Sequence, residues 1–130
     1  MSTRLDEKIA SEGYENLIND LYPPTDVFSV KMRKGSAETT YKRGTALAID
    51  GNGKMVILGT AAGSGETLTA NAVLAEDVTV GTSVDANAIA YRTGHFNTNA
   101  LIVASGYTIT ATDKEAFRSA GILLSDAIEI

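Results

Sequence analysis

Cysteine and tryptophan are absent from this chain of 130 residues, and aromatic residues make up only 6% of it. Without cysteine, the chain can form neither disulfides nor thiolate metal sites, and it has no thiol nucleophile. With so few aromatic side chains, there is little material for the stacking platforms that bind single-stranded nucleic acid. The fold must therefore depend on the packing of small aliphatic side chains.

Long apolar segments are also missing. Apolar runs such as Ala46–Ile49 and residues 55–58 are far shorter than the about 20 residues that a membrane-spanning helix needs. No apolar signal region follows Arg4. We therefore expect a soluble protein that is made in a cytoplasm and has no membrane partner.

Basic residues are outnumbered, with 11 against 16 acidic ones, and the net charge of −5 disfavours nonspecific binding to nucleic acid. The charge is uneven, because residues 27–54 carry six basic and two acidic residues. This basic segment either faces an acidic partner or forms a solvated charged surface.

The N-terminal segment shows a helical pattern. Tyr14, Leu17, Ile18 and Leu21 are spaced as on one face of a helix, which predicts a helix over residues 15–22 that ends at the following prolines. Residues 5–11 give a weaker helical signal. We expect residues 1–26 to form a partly helical arm and residues 27–130 to form a separate β-rich domain.

Beyond residue 26 the apolar period changes to two. Phe28, Val30 and Met32 alternate with polar residues, as in a half-buried strand. Residues 40–50 and 54–60 are predicted as strands of a hairpin across an Asp-Gly-Asn-Gly turn, because Asn-Gly favours tight turns. Residues 61–67 are predicted as a flexible surface loop, and residues 71–75 and 87–92 as short buried strands. The expected fold class is mainly β with short helices.

A short helix is expected near the end of the sequence. Thr112 and Glu115 have the spacing of a capping box, and Gly121 stands where a helix commonly ends. We therefore predict a helix over residues 113–120 with Phe117 facing inward, followed by a strand over residues 122–124.

No catalytic, cofactor or metal site is predicted. His95 is the single histidine, and we expect it in a turn beside a buried Phe96. The stretch Gly63-Ser-Gly-Glu-Thr lacks the lysine of a phosphate-binding loop. The turn that begins at Asp50 lacks the later ligands of a calcium loop. Glu76 and Asp77 are adjacent on an expected strand end, so they point to opposite faces.

Four stretches carry a resemblance when taken in order: Arg43-Gly-Thr-Ala-Leu-Ala-Ile-Asp, Asn71-Ala-Val-Leu-Ala-Glu-Asp-Val-Thr, Tyr91-Arg-Thr-Gly-His-Phe-Asn-Thr-Asn-Ala-Leu and Phe117-Arg-Ser-Ala-Gly-Ile-Leu-Leu. Across residues 41–125 the chain resembles the lambda-type head decoration proteins of tailed bacteriophages. The resemblance implies a compact β domain with an N-terminal arm, and a structural protein rather than an enzyme. It also implies a homotrimer on the outside of the expanded head, where it stabilises the lattice of the major capsid protein. The virion would then be its location and the bacterial cytoplasm its place of synthesis.

The resemblance also suggests roles for individual residues. Phe96 and Leu101 match the family's turn residues and are expected to anchor the core together with Phe117. The arm is longer than is usual in the family, so its docking mode is open, and residues 28–32 are a candidate for strand addition to a capsid sheet. The candidate capsid contacts are Leu17, Leu21, Tyr22, Phe28, Val30 and Met32. The alternatives are a small β ligand-binding or enzymatic domain with residues 63–66 as a lid, and an adhesin displayed on the virion.

Overall fold

A computed structural model describes residues 17–20 and 25–125. Within these ranges the chain is mainly β, as expected. The strands are β1 (Ile18–Asp20), β2 (Asp26–Met32), β3 (Thr39–Tyr41), β4 (Ala46–Ile49), β5 (Met55–Ile57), β6 (Thr69–Leu74), β7 (Val78–Val80), β8 (Ala86–Asn97) and β9 (Ile122–Ser125). A 3₁₀ helix spans Thr98–Ala100, and the helix α1 spans Ala111–Ala120.

Five strands close into a small barrel in the order β8–β2–β5–β4–β6, with β6 pairing back to β8. The β2–β5 contact is parallel, and the other four contacts are antiparallel. The far end of β8 extends beyond the barrel and carries β1 and β9 as neighbours. β3 and β7 form a separate two-stranded ribbon.

Apolar clusters lie on both faces of the sheet. One cluster of apolar side chains fills the barrel and includes Leu47, Leu74 and Met32. A second cluster lies on the outer face beneath α1 and includes Phe96 and Phe117. Because successive residues of a strand point to opposite faces, β4 sends Leu47 into the barrel and its two alanines to the outer cluster. Small side chains thus serve a strand that is covered on both sides.

The predicted hairpin is confirmed, with Ile49 opposite Met55. Asp50 holds its turn, since one carboxylate oxygen accepts the N–H groups of Asn52 at 2.8 Å and Lys54 at 2.9 Å. The long first strand over residues 40–50 is wrong. The chain bends at Gly44, whose φ of +95° lies in the region that favours glycine, so residues 39–41 leave the barrel and pair with β7.

The C-terminal helix is confirmed, but its cap lies two residues earlier than predicted. Thr110 accepts the N–H of Asp113 at 3.0 Å, and the Asp113 carboxylate accepts the N–H of Thr110 at 3.0 Å. The capping box is therefore Thr110 and Asp113, in place of Thr112 and Glu115. Gly121 ends the helix with a φ of +111°, and β9 follows directly, as expected.

The predicted helix over residues 15–22 is wrong at the positions that the structure describes. Ile18–Asp20 is a strand opposite Phe96 and His95 of β8, and the carbonyl of Leu17 accepts the N–H of Asn97 at 2.8 Å. Pairing with β8 and burial of Leu17 override the helical spacing. The rest of that segment, including Leu21 and Tyr22, lies outside the described residues, as does the weaker helix over residues 5–11. The division of the chain at residue 26 stays a prediction.

The strand predicted over residues 87–92 is longer than expected and runs to Asn97. His95 therefore lies in β8 rather than in a turn, because β1 and β9 flank it on either side. The short strand over residues 71–75 is confirmed as β6. Residues 61–67 form an exposed loop without helix or strand, as expected.

Candidate interaction surface

One edge of the barrel is only partly closed. β2 pairs with β8 along its whole length, whereas its pairing with β5 consists of Met32 opposite Met55. The N–H of Arg33 points toward β5, because it donates to the carbonyl of Met55 at 2.9 Å. Along a strand, the N–H groups of every second residue point to the same side. By that alternation, the N–H groups of Val27 and Ser29 point to the β5 side, before β5 begins. The N–H of Val27 donates to the Asp26 carboxylate at 3.0 Å. Within the described chain no strand pairs with β2 on this side at Val27 or Ser29, and we call this stretch the open edge.

A groove of about 320 Å³ lies beside the open edge. Phe28, Val30, Ile49 and Met55 give it an apolar lining, and exposed Lys31 lies on its rim. A strand edge without a neighbouring strand, next to an apolar groove, is the arrangement that accepts an added strand, because main-chain hydrogen bonds supply affinity and the groove receives side chains.

The hairpin beside this groove is held by Arg33. Its guanidinium donates to Asp50 at 3.2 Å and to Glu66 at 2.5 Å, so one cation joins the hairpin turn to the loop of residues 61–67. The N–H of Lys54, then that of Asn52 and the Arg33 guanidinium, lower the pKa of Asp50. The N–H of Gly63 and then Arg33 lower the pKa of Glu66, and Glu66 in turn raises the pKa of Arg33. The loop predicted to be flexible is thus tied to the barrel at Glu66.

A second ionic contact supports the same end of the barrel. Asp85 lies 2.8 Å from the ammonium of Lys54 and accepts the N–H of Lys34 at 2.9 Å. These two contacts, the Lys54 one first, lower the pKa of Asp85. Because Lys54 begins the return arm of the hairpin and Lys34 follows β2, Asp85 joins the end of β2 to the hairpin.

The predicted site residues fall into three groups. Phe96 and Phe117 are fully buried and Leu101 is half-buried against the outer cluster, and their role as core anchors stays a prediction. Three candidate capsid contacts are buried in the chain's own core: Leu17, Val30 and Met32. Phe28 is half-buried at the groove, and Leu21 and Tyr22 lie outside the described residues. All six stay predictions as capsid contacts. Of the four that the structure describes, only Phe28 is accessible enough to touch a partner, and it lies beside the open edge.

Sequence reasoning missed the partners that shape this surface. Arg33 and Glu66 stand 33 residues apart, and no local spacing rule relates them. The open edge was also missed, although the alternation in residues 28–32 gave the strand itself. A basic residue directly after a predicted strand and a lone glutamate in a glycine-rich loop were the available signals.

The chemical motifs weighed from sequence have structural explanations. His95 Nε2 lies 2.7 Å from Ser125 Oγ on the neighbouring strand, a contact between two sheet residues. In residues 17–20 and 25–125, no three His, Asp or Glu side chains gather as metal ligands would. No helix in these ranges is long and apolar enough to cross a bilayer.

The fold is thus a small, mainly β barrel with one short α-helix. The sequence profile of the bacteriophage lambda head decoration protein D family matches residues 28–123, from β2 into β9. Since the match spans nearly three quarters of the chain, the protein belongs to this family of structural phage proteins and has a capsid decoration role. Among curated proteins, none matches the chain.

Proposed function

We propose that this protein binds the outside of the expanded phage head as a homotrimer and stabilises the lattice of the major capsid protein. The observation that carries the proposal is the family match over residues 28–123, which covers the barrel, α1 and the start of β9. It acts in the virion after synthesis in the bacterial cytoplasm. No catalytic step, cofactor or nucleic acid is part of this role.

Co-sedimentation with phage heads tests this proposal. Purified protein is mixed with expanded heads that lack decoration and with unexpanded heads, and the pelleted protein is quantified. We expect saturable binding to expanded heads and little binding to unexpanded ones. Equal recovery with both kinds of head, or none with either, would contradict the proposal.

The open edge suggests how the protein docks. We propose that an extended segment of the major capsid protein pairs with β2 at Ser29 and places its side chains over the groove at Phe28. The strand edge at Ser29, with which no described strand pairs, and the apolar lining of the groove support this arrangement. In the sequence prediction, residues 28–32 were instead added to a capsid sheet. Both proposals use β2 as the docking strand. In the structure, the side of β2 that faces away from β8 is the one with room for an added strand.

Ser29→Pro tests this docking mode with little damage to the barrel. The N–H of Ser29 points away from β8, so proline at this position removes an edge donor without breaking the β2–β8 ladder. Ser29→Val is the matched control, since it keeps the N–H and favours a strand. We expect Ser29→Pro to bind heads at least ~10-fold more weakly, as the loss of about 1.4 kcal/mol would cause. Equal binding by the two variants would rule out strand addition at this edge.

A further inference from the structure

The turn between β4 and β5 contains a chemically reactive pair, Asn52 and Gly53. Of the seven asparagines in the sequence, Asn52 is the one that glycine follows. Both residues of the pair are exposed. A Cβ atom placed on Gly53 would meet no other atom within 4 Å, so the space around its backbone is open. Asparagine is a thermolabile residue, and its side-chain amide can be attacked by the backbone nitrogen that follows it.

The reaction joins the backbone nitrogen of Gly53 to the Cγ atom of Asn52. As this bond forms, the bond from Cγ to Nδ2 breaks, and Nδ2 leaves as ammonia with the proton of the Gly53 N–H. The product is a cyclic succinimide. Water then opens the ring at one of its two carbonyl groups, which gives either aspartate or isoaspartate. Glycine favours the attack because it has no Cβ atom beside the attacking nitrogen.

The side chain of Asn52 is available for this reaction. Its carboxamide forms no hydrogen bond with residues 17–20 or 25–125, although its backbone N–H donates to the Asp50 carboxylate at 2.8 Å. The N–H of Gly53 donates to the carbonyl of Asp50 at 3.2 Å, the long end of the usual range. This bond must open before the attack. Opening of an exposed turn is a local event that does not require global unfolding.

The other described asparagines lack this combination of features. Asn97 is buried, and Asn71 and Asn87 lie in the strands β6 and β8. Asn99 is exposed like Asn52, but alanine follows it. Comparison of Asn52 with Asn99 within one protein therefore isolates the effect of the following glycine and of the turn.

We propose that Asn52 is a site of spontaneous deamidation and that the products loosen the turn of the hairpin. Isoaspartate lengthens the backbone by one carbon before Gly53. The N–H groups of Gly53 and Lys54 then shift away from Asp50, which accepts both of them. Either product also adds a carboxylate to a groove of about 360 Å³ that Glu66 lines too, and like charges repel there. This inference is independent of capsid binding, because it concerns a reaction within one chain.

Peptide mapping by mass spectrometry tests the site. The folded protein is kept in neutral buffer, and conversion of Asn52 and Asn99 is followed over several weeks. We expect Asn52 to convert at least ~10-fold faster, as a barrier lower by about 1.4 kcal/mol gives. Asn52→Gln is the matched variant, since its longer side chain disfavours ring closure, and it should show no conversion at this position. No conversion of Asn52, or equal rates at Asn52 and Asn99, would overturn the proposal.

Amide exchange tests the effect on the hairpin. Deamidated protein is separated from unmodified protein by ion exchange, because it carries one more negative charge. We expect the N–H of Lys54 to exchange at least ~10-fold faster in the deamidated protein, as local opening predicts. The N–H of Leu58, which donates to the carbonyl of Ala46 at 2.8 Å, is the control and should keep its rate. Unchanged exchange at Lys54, or an equal increase at Leu58, would contradict a local effect on the turn.

Discussion

At the residue scale, Phe96 joins β8 to its two neighbouring strands, β1 and β9. Its strand position lies opposite Ile18 on one side and Leu124 on the other, and its ring centroid is 5.2 Å from that of Tyr91. The side chain is fully buried. Phe96 thus holds the outer cluster to the sheet at the point where β8 leaves the barrel.

Truncation of Phe96 should therefore be costly. We expect Phe96→Ala to lower the free energy of unfolding by about 3–5 kcal/mol, as large-to-small changes in a core do. Leu101→Ala should cost less, because Leu101 is only half-buried. Val84→Ala is the control, since Val84 is 72% exposed and should have almost no effect. Urea denaturation measures all three, and a cost for Phe96→Ala below that of Leu101→Ala would contradict this account.

The carboxylates around Arg33 predict a loss of stability in acid. The folded pKa values of Asp50 and Glu66 lie below their ordinary values of 3.8 and 4.5. Both groups hence stabilise the fold above those ordinary values, and the contribution is lost as the pH falls through the lowered folded pKa values. Asp50→Asn removes one titrating group, so the free energy of unfolding should fall less steeply in acid than in the unmodified protein.

Glu38→Gln is the control for this experiment, because Glu38 is an exposed carboxylate outside the Arg33 cluster. Urea denaturation at several pH values gives the slope for each protein. A slope that Asp50→Asn leaves unchanged would show that the Asp50 carboxylate does not contribute in this way.

At the scale of single elements, the N-terminal cap of α1 is Thr110 in the structure, whereas the sequence pattern indicated Thr112. We expect Thr110→Ala to lower the free energy of unfolding by about 1 kcal/mol, because it removes the acceptor for the N–H of Asp113. Thr112→Ala should have a small effect of either sign, since Thr112 lies exposed inside the helix. Thermal unfolding of the two variants measures the difference. A larger loss of stability for Thr112→Ala than for Thr110→Ala would show that Thr112 is the cap, as the sequence pattern indicated.

Local patterns predicted the elements whose causes are local. The hairpin at Asp50, the end of α1 at Gly121 and the alternation in β2 all follow from turn chemistry and strand period, and all three are confirmed. The cap was misplaced because Thr110 and Thr112 both have an acidic residue three positions later. Only packing and hydrogen bonds distinguish the two frames.

Elements whose causes are distant were predicted poorly. The spacing of Leu17 and Ile18 fits a helix, yet pairing with β8 makes Ile18–Asp20 a strand. Likewise, β8 extends to Asn97 because β1 and β9 supply partners from remote parts of the sequence. The open edge depends on where β5 begins relative to β2, a register that no single segment specifies.

At the scale of the whole molecule, we expect a homotrimer in solution. The barrel is small and its core is built largely from alanine and valine, so burial between copies would add stability. One chain has a mass of 13.6 kDa. Light scattering at micromolar concentration should give three times that mass. Because association increases with concentration, a protein that stays monomeric over a ~100-fold range of concentration would exclude the trimer.

The most direct test of the central claim is electron cryomicroscopy of expanded, undecorated heads after incubation with the protein. We predict added density with threefold symmetry on the outer surface, between neighbouring capsid subunits, into which three barrels fit with β2 next to a capsid segment. Heads with no added density, or density confined to the inner surface, would contradict the proposal that this protein decorates the capsid from outside.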